Sequence, residues 1–373
     1  MIRETGKYKN LGETRYFTPF SLPPKNPTLL MNEEIIRLYG EASFSLGQLN
    51  EMSKRLPDPE RFLRAYAVKE AMLSSSIEGI NTTITDVFQP IATKTPLNKE
   101  TQLVVNYFKC MKQGLSSLID EDHPIVSRII LNMHRTLFTA SGSASSPGEF
   151  RKQSVRVGNL VPPPANEIHN LMSALEQFIN TPNGIPEIIK AGLVHAHFEM
   201  IHPFLDGNGR IGRMIIVLML VKNRLIESPI LYPSLYFKKN HNEYYLRLDE
   251  IRTKGDFESW ISFYLQVIRD SALDAHQRAK KIEQLEIELK EKISQEEPFQ
   301  RIQKNAFLVL EYLFKYPISM VGNVAKNIGM SFNATQMILN RMLDAGIVSS
   351  KDQTRNRLYT LDSYLETLEI DLS

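Results

Sequence analysis

The chain has 373 residues, with 44 Lys and Arg against 42 Asp and Glu and 42% hydrophobic residues. At roughly 150 residues per domain this predicts two or three globular domains and excludes a disordered tail or a minimal disulfide scaffold. A formal charge of +2 signals no global field for nucleic acid or membrane, and the single cysteine, Cys110, excludes an internal disulfide and a Cys-rich zinc site and agrees with a cytoplasmic setting.

The first residues, Met1 to Asn10, are polar and lack the apolar core of a secretory leader, and the longest apolar run, Met214 to Val221, is too short to span a bilayer. No membrane association is expected. Apolar residues recur at helical spacing from Asn32 to Met52 and from Pro59 to Leu73, with Leu56-Pro57-Asp58-Pro59 breaking the pair. Pro90 and Pro96 bound an expected loop, and Lys99 to Leu118 and Val126 to Phe138 read as further helices. The texture then changes. Ser141 to Gly148 is a loop signal, and Val155-Arg156-Val157 and Leu160-Val161 read as two short strands around the turn Gly158-Asn159, closed by Pro162-Pro163-Pro164. Helices resume at Asn166 to Ile179 and Pro186 to Met200. A Gly-rich loop, Asp206 to Gly209, then leads into an apolar helix, Ile211 to Lys222.

Asp270 to Glu297 has no Gly or Pro and reads as a solvated connecting helix. Beyond it, Ala306 to Phe314, Val321 to Ile328 and Phe332 to Ala345 form three short helices, with turns at Gly329 and Gly346. Ile347 to Ser349 and Arg357 to Thr360 supply the strands of a wing, the order of a winged helix-turn-helix. The expected organisation is an N-terminal helical region (1–124), a helical core (125–269), a connecting helix (270–297) and a winged module (298–373).

Between Ile201 and Arg213 the chain gathers a histidine, a carboxylate, three glycines, an asparagine and two arginines. Gly207 and Gly209 let backbone N–H groups approach an anion at the start of a helix. Asp206 is a hard oxygen ligand suited to Mg²⁺. Arg210 and Arg213, three apart, share a helix face and can fork onto phosphate together. His202, neutral for the most part at pH 7, can take a proton from an attacking hydroxyl. The set reads as phosphoryl or nucleotidyl transfer. Two other readings stay open: a plain turn between helices, and a metal site from His195, Glu199 and His202 at i, i+4 and i+7.

His202-Pro203-Phe204-Leu205-Asp206-Gly207-Asn208-Gly209-Arg210, followed by Arg213, resembles the signature of the Fic family, H-x-F-x-D-G-N-G-R-x-x-R, at every position. The resemblance, spanning roughly Leu22 to Gln266, implies a mainly helical Fic core with a small β-hairpin flap and a nucleotidyltransferase that moves AMP from MgATP to a Ser, Thr or Tyr hydroxyl of a protein. It implies His202 as general base, Phe204 as the anchor of the loop, Asp206 as the Mg²⁺ holder, and Gly207, Asn208, Gly209, Arg210 and Arg213 as the grip on the phosphates. Asn240 and Tyr244 fall where family members contact base and ribose.

Upstream, Ser74-Ser75-Ser76-Ile77-Glu78-Gly79 is similar to the family's inhibitory pattern, [S/T]-x-x-x-E-[G/N], which implies that Glu78 pairs with Arg213 and displaces the γ-phosphate. By its residues alone it reads as a helix C-terminus with Gly79 as the turning residue, and the signature downstream is what favours the inhibitory reading. The hairpin residues Val155, Arg156, Val157, Gly158, Leu160 and Val161 match the family's flap, on which an extended target segment docks; a structural hairpin is the other reading. Glu149-Phe150-Arg151 and the proline run are also similar to the family.

The winged module has eight Lys and Arg against seven Asp and Glu. Its third helix, Phe332 to Ala345, carries Arg341 as its single cation, so protein interaction or dimerisation is favoured over DNA binding. Homodimerisation stays open. The alternatives to AMP transfer are AMP removal, transfer of another phosphate-containing group, and a nucleotide-sensing DNA-binding regulator.

Overall fold

The computed structural model describes residues 3–55, 59–139, 146–350 and 357–369, without side chains at 55 and 59–63. The expected break at 56–58, most of the loop at 141–148 and the tip of the wing lie outside the described residues. The chain opens on a hairpin absent from the sequence reading, β1 (Gly6–Leu11) against β2 (Thr14–Pro19), paired from Gly6 with Pro19 to Leu11 with Thr14. All of β1 after Gly6 is exposed, so it carries no alternation of buried and polar positions to betray it.

Helices follow: α1 (Glu33–Arg55), α2 (Pro59–Ile77), α3 (Ile84–Thr93), α4 (Lys99–Leu115), α5 (Ser127–Leu137) and α6 (Ile168–Asn180), all at expected stretches except α3, which is an addition. Helix α4 widens at its end into a π-turn at Ser116–Asp120. One expectation fails at Pro90, which lies inside α3 and not at a loop boundary. A capping box at Thr83 and Asp86 starts that helix, and buried Ile84, Val87, Phe88 and Ala92 hold it past the missing proline N–H.

At the centre lie α7 (Glu187–Ile201) and α8 (Asn208–Lys222), packed on each other and buried almost all round. A helix without a polar face belongs inside a core. Around them come α9 (Ser234–Lys239), α10 (His241–Lys254) and α11 (Phe257–Gln295).

Helix α11 corrects the expectation of a solvated connector. It runs unbroken for 39 residues through position 270. Its later half buries Ala272, Ala275, Ala279, Ile282, Glu286, Leu289 and Ile293, the alternating spacing of three and four that marks a packing seam. It packs along α1 and also touches α7, α9, α10 and the C-terminal module. Alanines and one glutamate, paired with Lys290 at 2.7 Å, dilute the stripe in the sequence.

The module has α12 (Gln303–Lys315), β3 (Ile318–Met320), α13 (Val321–Ile328), α14 (Phe332–Asp344), β4 (Ser349–Ser350), β5 (Leu358–Thr360) and α15 (Asp362–Leu368), with the three strands in the order β3-β5-β4. The three helices and wing strands match the winged-helix expectation; β3 and α15 are additions. Arg341 donates to the Pro298 carbonyl. Among the described residues, no helix is long and apolar enough to cross a membrane.

Candidate active site

The loop between α7 and α8 starts where His202 turns left-handed, at φ 48° and ψ 62°, while its N–H still closes the helix onto the Phe198 carbonyl at 2.9 Å. A non-glycine residue with positive φ is uncommon and must be held there by its surroundings. Arg151 does the holding. Its Nε donates to the His202 carbonyl at 2.8 Å, its Nη2 to Pro163 at 2.7 Å, and its backbone N–H to Pro203 at 2.9 Å. Phe204 is fully buried, stacked on His134 at 3.8 Å between ring centres. The Asn208 amide clamps its backbone on both sides, accepting from the Phe204 N–H at 2.8 Å and donating to its carbonyl at 2.9 Å.

His134 ties this loop to a distant one. Its Nδ1 accepts from the Gly148 N–H at 2.8 Å, so its proton sits on Nε2, which donates to the Asp206 carbonyl at 3.0 Å. Burial holds its pKa down at about 4, which keeps the ring neutral. The sequence reading missed it, since no spacing pattern links a lone histidine to a loop seventy residues on.

Helix α8 begins at Asn208, earlier than the expected Ile211, so Gly209 and Arg210 lie in its first turn, where backbone N–H groups lack helical partners. Gly207 takes φ 78°, and a Cβ there would lie 2.8 Å from the Phe138 ring. A Cβ on Gly209 would meet Glu78 Oε1 at 2.7 Å and Arg213 Nη1 at 2.8 Å. Glycine thus leaves room for an anionic group against the helix start, and the Glu78 carboxylate lies there.

Glu78 follows the end of α2, where Gly79 takes φ 80°, so the helix-terminus reading and the pairing reading both hold. Its Oε1 accepts from Arg213 Nη2 at 3.0 Å, and its Oε2 lies 2.7 Å from Arg210 Nε, a close approach without hydrogen-bond alignment. Ser74 completes the arrangement: Arg213 donates Nε to its hydroxyl at 2.8 Å and Nη2 to its carbonyl at 2.9 Å. Both guanidinium groups are 1% exposed. Burial works against the Arg213 charge, but Glu78, Tyr244 and Glu199 more than offset it and raise its pKa. Arg210 Nη1 has no partner among the described residues.

The His202 imidazole is 17% exposed, and burial, with Arg151 nearby, lowers its pKa to about 4. It is neutral at pH 7, and its Nδ1 makes no hydrogen bond among the described residues. Glu199 lies 3.8 Å away, its carboxyl pushed up to about 7 by burial. The rival metal triad does not assemble: His195 is fully buried with Nε2 at 2.8 Å from the Tyr244 hydroxyl, and no metal-holding cluster occurs among the described residues. Tyr244 is accordingly interior, with no open face for a base, while its neighbour Tyr245 is 43% exposed. Asn240 is exposed and donates to the Tyr236 carbonyl at 2.9 Å.

The flap is smaller than two strands. Val157 and Leu160 exchange backbone bonds at 2.8 and 2.9 Å around Gly158, a single bridge. Val155 is half-buried and Arg156 exposed, and among the described residues the backbone of neither is paired. Val161 accepts from the Phe17 N–H at 2.9 Å, so the N-terminal hairpin braces the flap from behind.

Asp206 is half exposed; its Oδ1 accepts from Gly207 at 2.6 Å and Arg210 at 3.1 Å, and its Oδ2 makes no bond among the described residues. One open carboxylate oxygen beside an anion cradle fits Mg²⁺, which takes one or two carboxylates plus phosphate oxygens.

Residues 124–220 match the Fic/DOC family and residues 36–116 the Fic/DOC family N-terminal region. Protein adenylyltransferase Fic of Drosophila mojavensis is 26% identical over 269 residues, covering 68% of this chain and 52% of that protein. Its namesake from Aedes aegypti is 24% identical, covering 66% and 51%. The chain thus spans about half the length of the curated relatives it matches. A Fic family protein from Desulfovibrio desulfuricans shares the fold with a TM-score of 0.58 at 19% identity, over 89% of this chain and 97% of that one. Fic-1 from C. elegans aligns with a TM-score of 0.54 at 18% identity, over 67% and 74%.

Proposed function

This chain belongs to the Fic/DOC family, and from that premise we propose that it is a protein adenylyltransferase, transferring AMP from ATP to a hydroxyl of a target protein and held back by its own Glu78. The observation that carries the proposal is the Glu78 carboxylate lying between Arg210 and Arg213 at the start of α8. An anion lies where two buried guanidinium groups and a helix N-terminus converge, and the γ-phosphate of ATP competes for the same donors. Both arginines engage Glu78, where the sequence reading named Arg213 alone.

In the proposed reaction the target hydroxyl attacks the α-phosphorus in line and pyrophosphate leaves. His202, neutral and with part of its ring exposed, accepts the hydroxyl proton. The first-turn N–H groups of α8 and the two arginines stabilise phosphate charge. Asp206 would hold Mg²⁺, which when bound neutralises phosphate oxygens as a Lewis acid. Val155 and Arg156 offer unpaired backbone to an extended target, which would register its hydroxyl against His202. The test is incubation with labelled ATP and Mg²⁺ followed by mapping of modified residues. Glu78→Gly is expected to raise auto-modification at least tenfold over wild type, and adding His202→Ala to lower it by roughly 10²- to 10⁴-fold. Label transfer that survives His202→Ala at full rate refutes the base assignment, and an unchanged rate in Glu78→Gly refutes the inhibition.

A further inference from the structure

Glu199 stands in the last turn of α7, three residues before His202, on a helix that is otherwise buried almost all round. Its side chain is 14% exposed, and its Oε1 is buried with no hydrogen-bond partner among the described residues. A carboxyl group buried without a partner costs free energy that an apolar side chain there would not, so its presence asks for a role. The packing makes room for it: a Cβ on Gly212 of α8 would lie 2.8 Å from that oxygen.

The other oxygen faces the histidine. Glu199 Oε2 lies 3.8 Å from His202 Nδ1, which is itself buried and without a hydrogen bond among the described residues. With Nδ1 turned inward, Nε2 is the nitrogen left for an incoming hydroxyl. Other groups reach Glu199 too. Burial is the largest influence and raises its carboxyl to about 7; Arg213 of α8 favours the ionised form, and Glu78, just past α2, opposes it. Tyr244 and Tyr245 of α10 and His195 of α7 surround it as neutral groups.

The His202 ring, held near a pKa of 4, is free to accept a proton at pH 7 but keeps it weakly, and a general base works best near the operating pH. The Glu199 backbone and Asp206 favour the protonated ring and are outweighed by burial and Arg151. A carboxylate behind the ring shifts that balance, because it attracts the imidazolium far more than the neutral imidazole.

We propose that Glu199 is a positioning residue for His202: its carboxylate, set behind Nδ1, orients the ring and stabilises the imidazolium formed when Nε2 takes the hydroxyl proton. The proton stays on the ring while the hydroxyl oxygen bonds to the α-phosphorus and the bond to pyrophosphate breaks; Glu199 itself takes up no proton. This role rests on His202 acting as the base of the proposed function and deepens that reading.

The experiment measures auto-modification of the full chain in the Glu78→Gly background with labelled ATP and Mg²⁺ at pH 8, where most of Glu199 is ionised. Glu199→Gln, equal in size and without charge, is expected to lower kcat at least tenfold and to leave KM for ATP within about twofold. Glu199→Asp, shorter but charged, is expected to retain more activity than Glu199→Gln, the reverse of what a purely structural role would give. Neutral Glu199 leaves the base working but weaker, so the parent rate is expected to step from one plateau to a higher one through the neutral range, separately from the limb that His202 sets, and Glu199→Gln to lose that step. Combined with His202→Ala, Glu199→Gln is expected to cost nothing further. Glu199→Gln at the parent rate, Glu199→Asp no faster than Glu199→Gln, or an equal loss in the His202→Ala background overturns the proposal. Should Glu199→Gln fail to fold, Glu199→Asp carries the same cycle with His202→Ala. Transfer that survives His202→Ala at full rate overturns the base assignment instead, so the two failures are told apart.

Discussion

Burial and the Arg151 guanidinium hold His202 near a pKa of 4, well below an unperturbed imidazole. The proposed base is therefore neutral across the neutral range, and the acid limb of kcat/KM, which reports the free enzyme, is expected near pH 4 and not near 6.5. Arg151→Met removes one of the two causes of that shift. It also removes the donor that holds the His202 carbonyl. The acid limb is expected to move upward and kcat at pH 7 to fall on the order of 10²-fold through misplacement of the ring, which pH-rate profiles in the Glu78→Gly background measure. An acid limb that stays put in Arg151→Met contradicts the electrostatic part. Asn208 belongs to the same scale. The resemblance implied phosphate contact for it, yet its side chain is taken up by both sides of the Phe204 backbone. Asn208→Ala leaves two buried backbone groups unpaired and is expected to cost about 2–4 kcal/mol in chemical unfolding.

At the scale of elements, α2 and α8 meet through one network in which Ser74, Glu78, Arg210 and Arg213 each depend on the others. Ser74 is fully buried and gives Arg213 two acceptors. Ser74→Ala keeps the carbonyl and loses the hydroxyl, so a partial release is expected: auto-modification between wild type and Glu78→Gly, read with the same labelled ATP. A rate equal to wild type would show that Glu78 holds Arg213 unaided. The motif at 202–213 stood out because it is contiguous and gathers residue types that few other turns combine, whereas the short pattern at 74–79, by itself a helix end, drew its second reading from the resemblance beside it. The flap was legible as a turn but not in extent, since β pairing beyond Val157 and Leu160 depends on neighbours that no local pattern specifies. The N-terminal hairpin was illegible for the related reason that its outer strand buries almost nothing.

For the whole molecule, α11 spans the Fic core and the winged module, and its seam lies in the region that composition alone marks as solvated. Ala279 is 2% exposed in the middle of that seam. Ala279→Glu forces a larger, charged group into a close helix contact and is expected to destabilise by several kcal/mol, lowering the thermal midpoint of the whole chain in one transition. A midpoint within a degree of wild type would restore the solvated reading.

Stability should also depend on pH through buried imidazoles. Burial lowers His195 to about 3 and His134, His197 and His202 to about 4. The unfolded chain binds those protons from about pH 6.5 downward while the fold refuses them, so stability is lost as pH falls through that window. Glu70 and Glu199, raised to about 7 by burial, act in the opposite sense between about pH 4.5 and 7. Four imidazoles against two carboxyls leave a net fall below pH 6.5, measurable as a declining urea midpoint between pH 6.5 and 5.

Residue type and short spacing carried the chemistry proposed for this protein: a histidine, a carboxylate, glycines and arginines within one loop and the first turns of one helix. Those features are local, because a cradle for phosphate is built from consecutive backbone groups. Distance in the chain is what the fold had to resolve. The capture of Arg210 as well as Arg213 by Glu78, the tie from His134 to Asp206, the interior place of Tyr244 and the seam along α11 all join residues far apart in the chain. Such contacts come from how helices stack to bury apolar faces, and no window of sequence contains both partners.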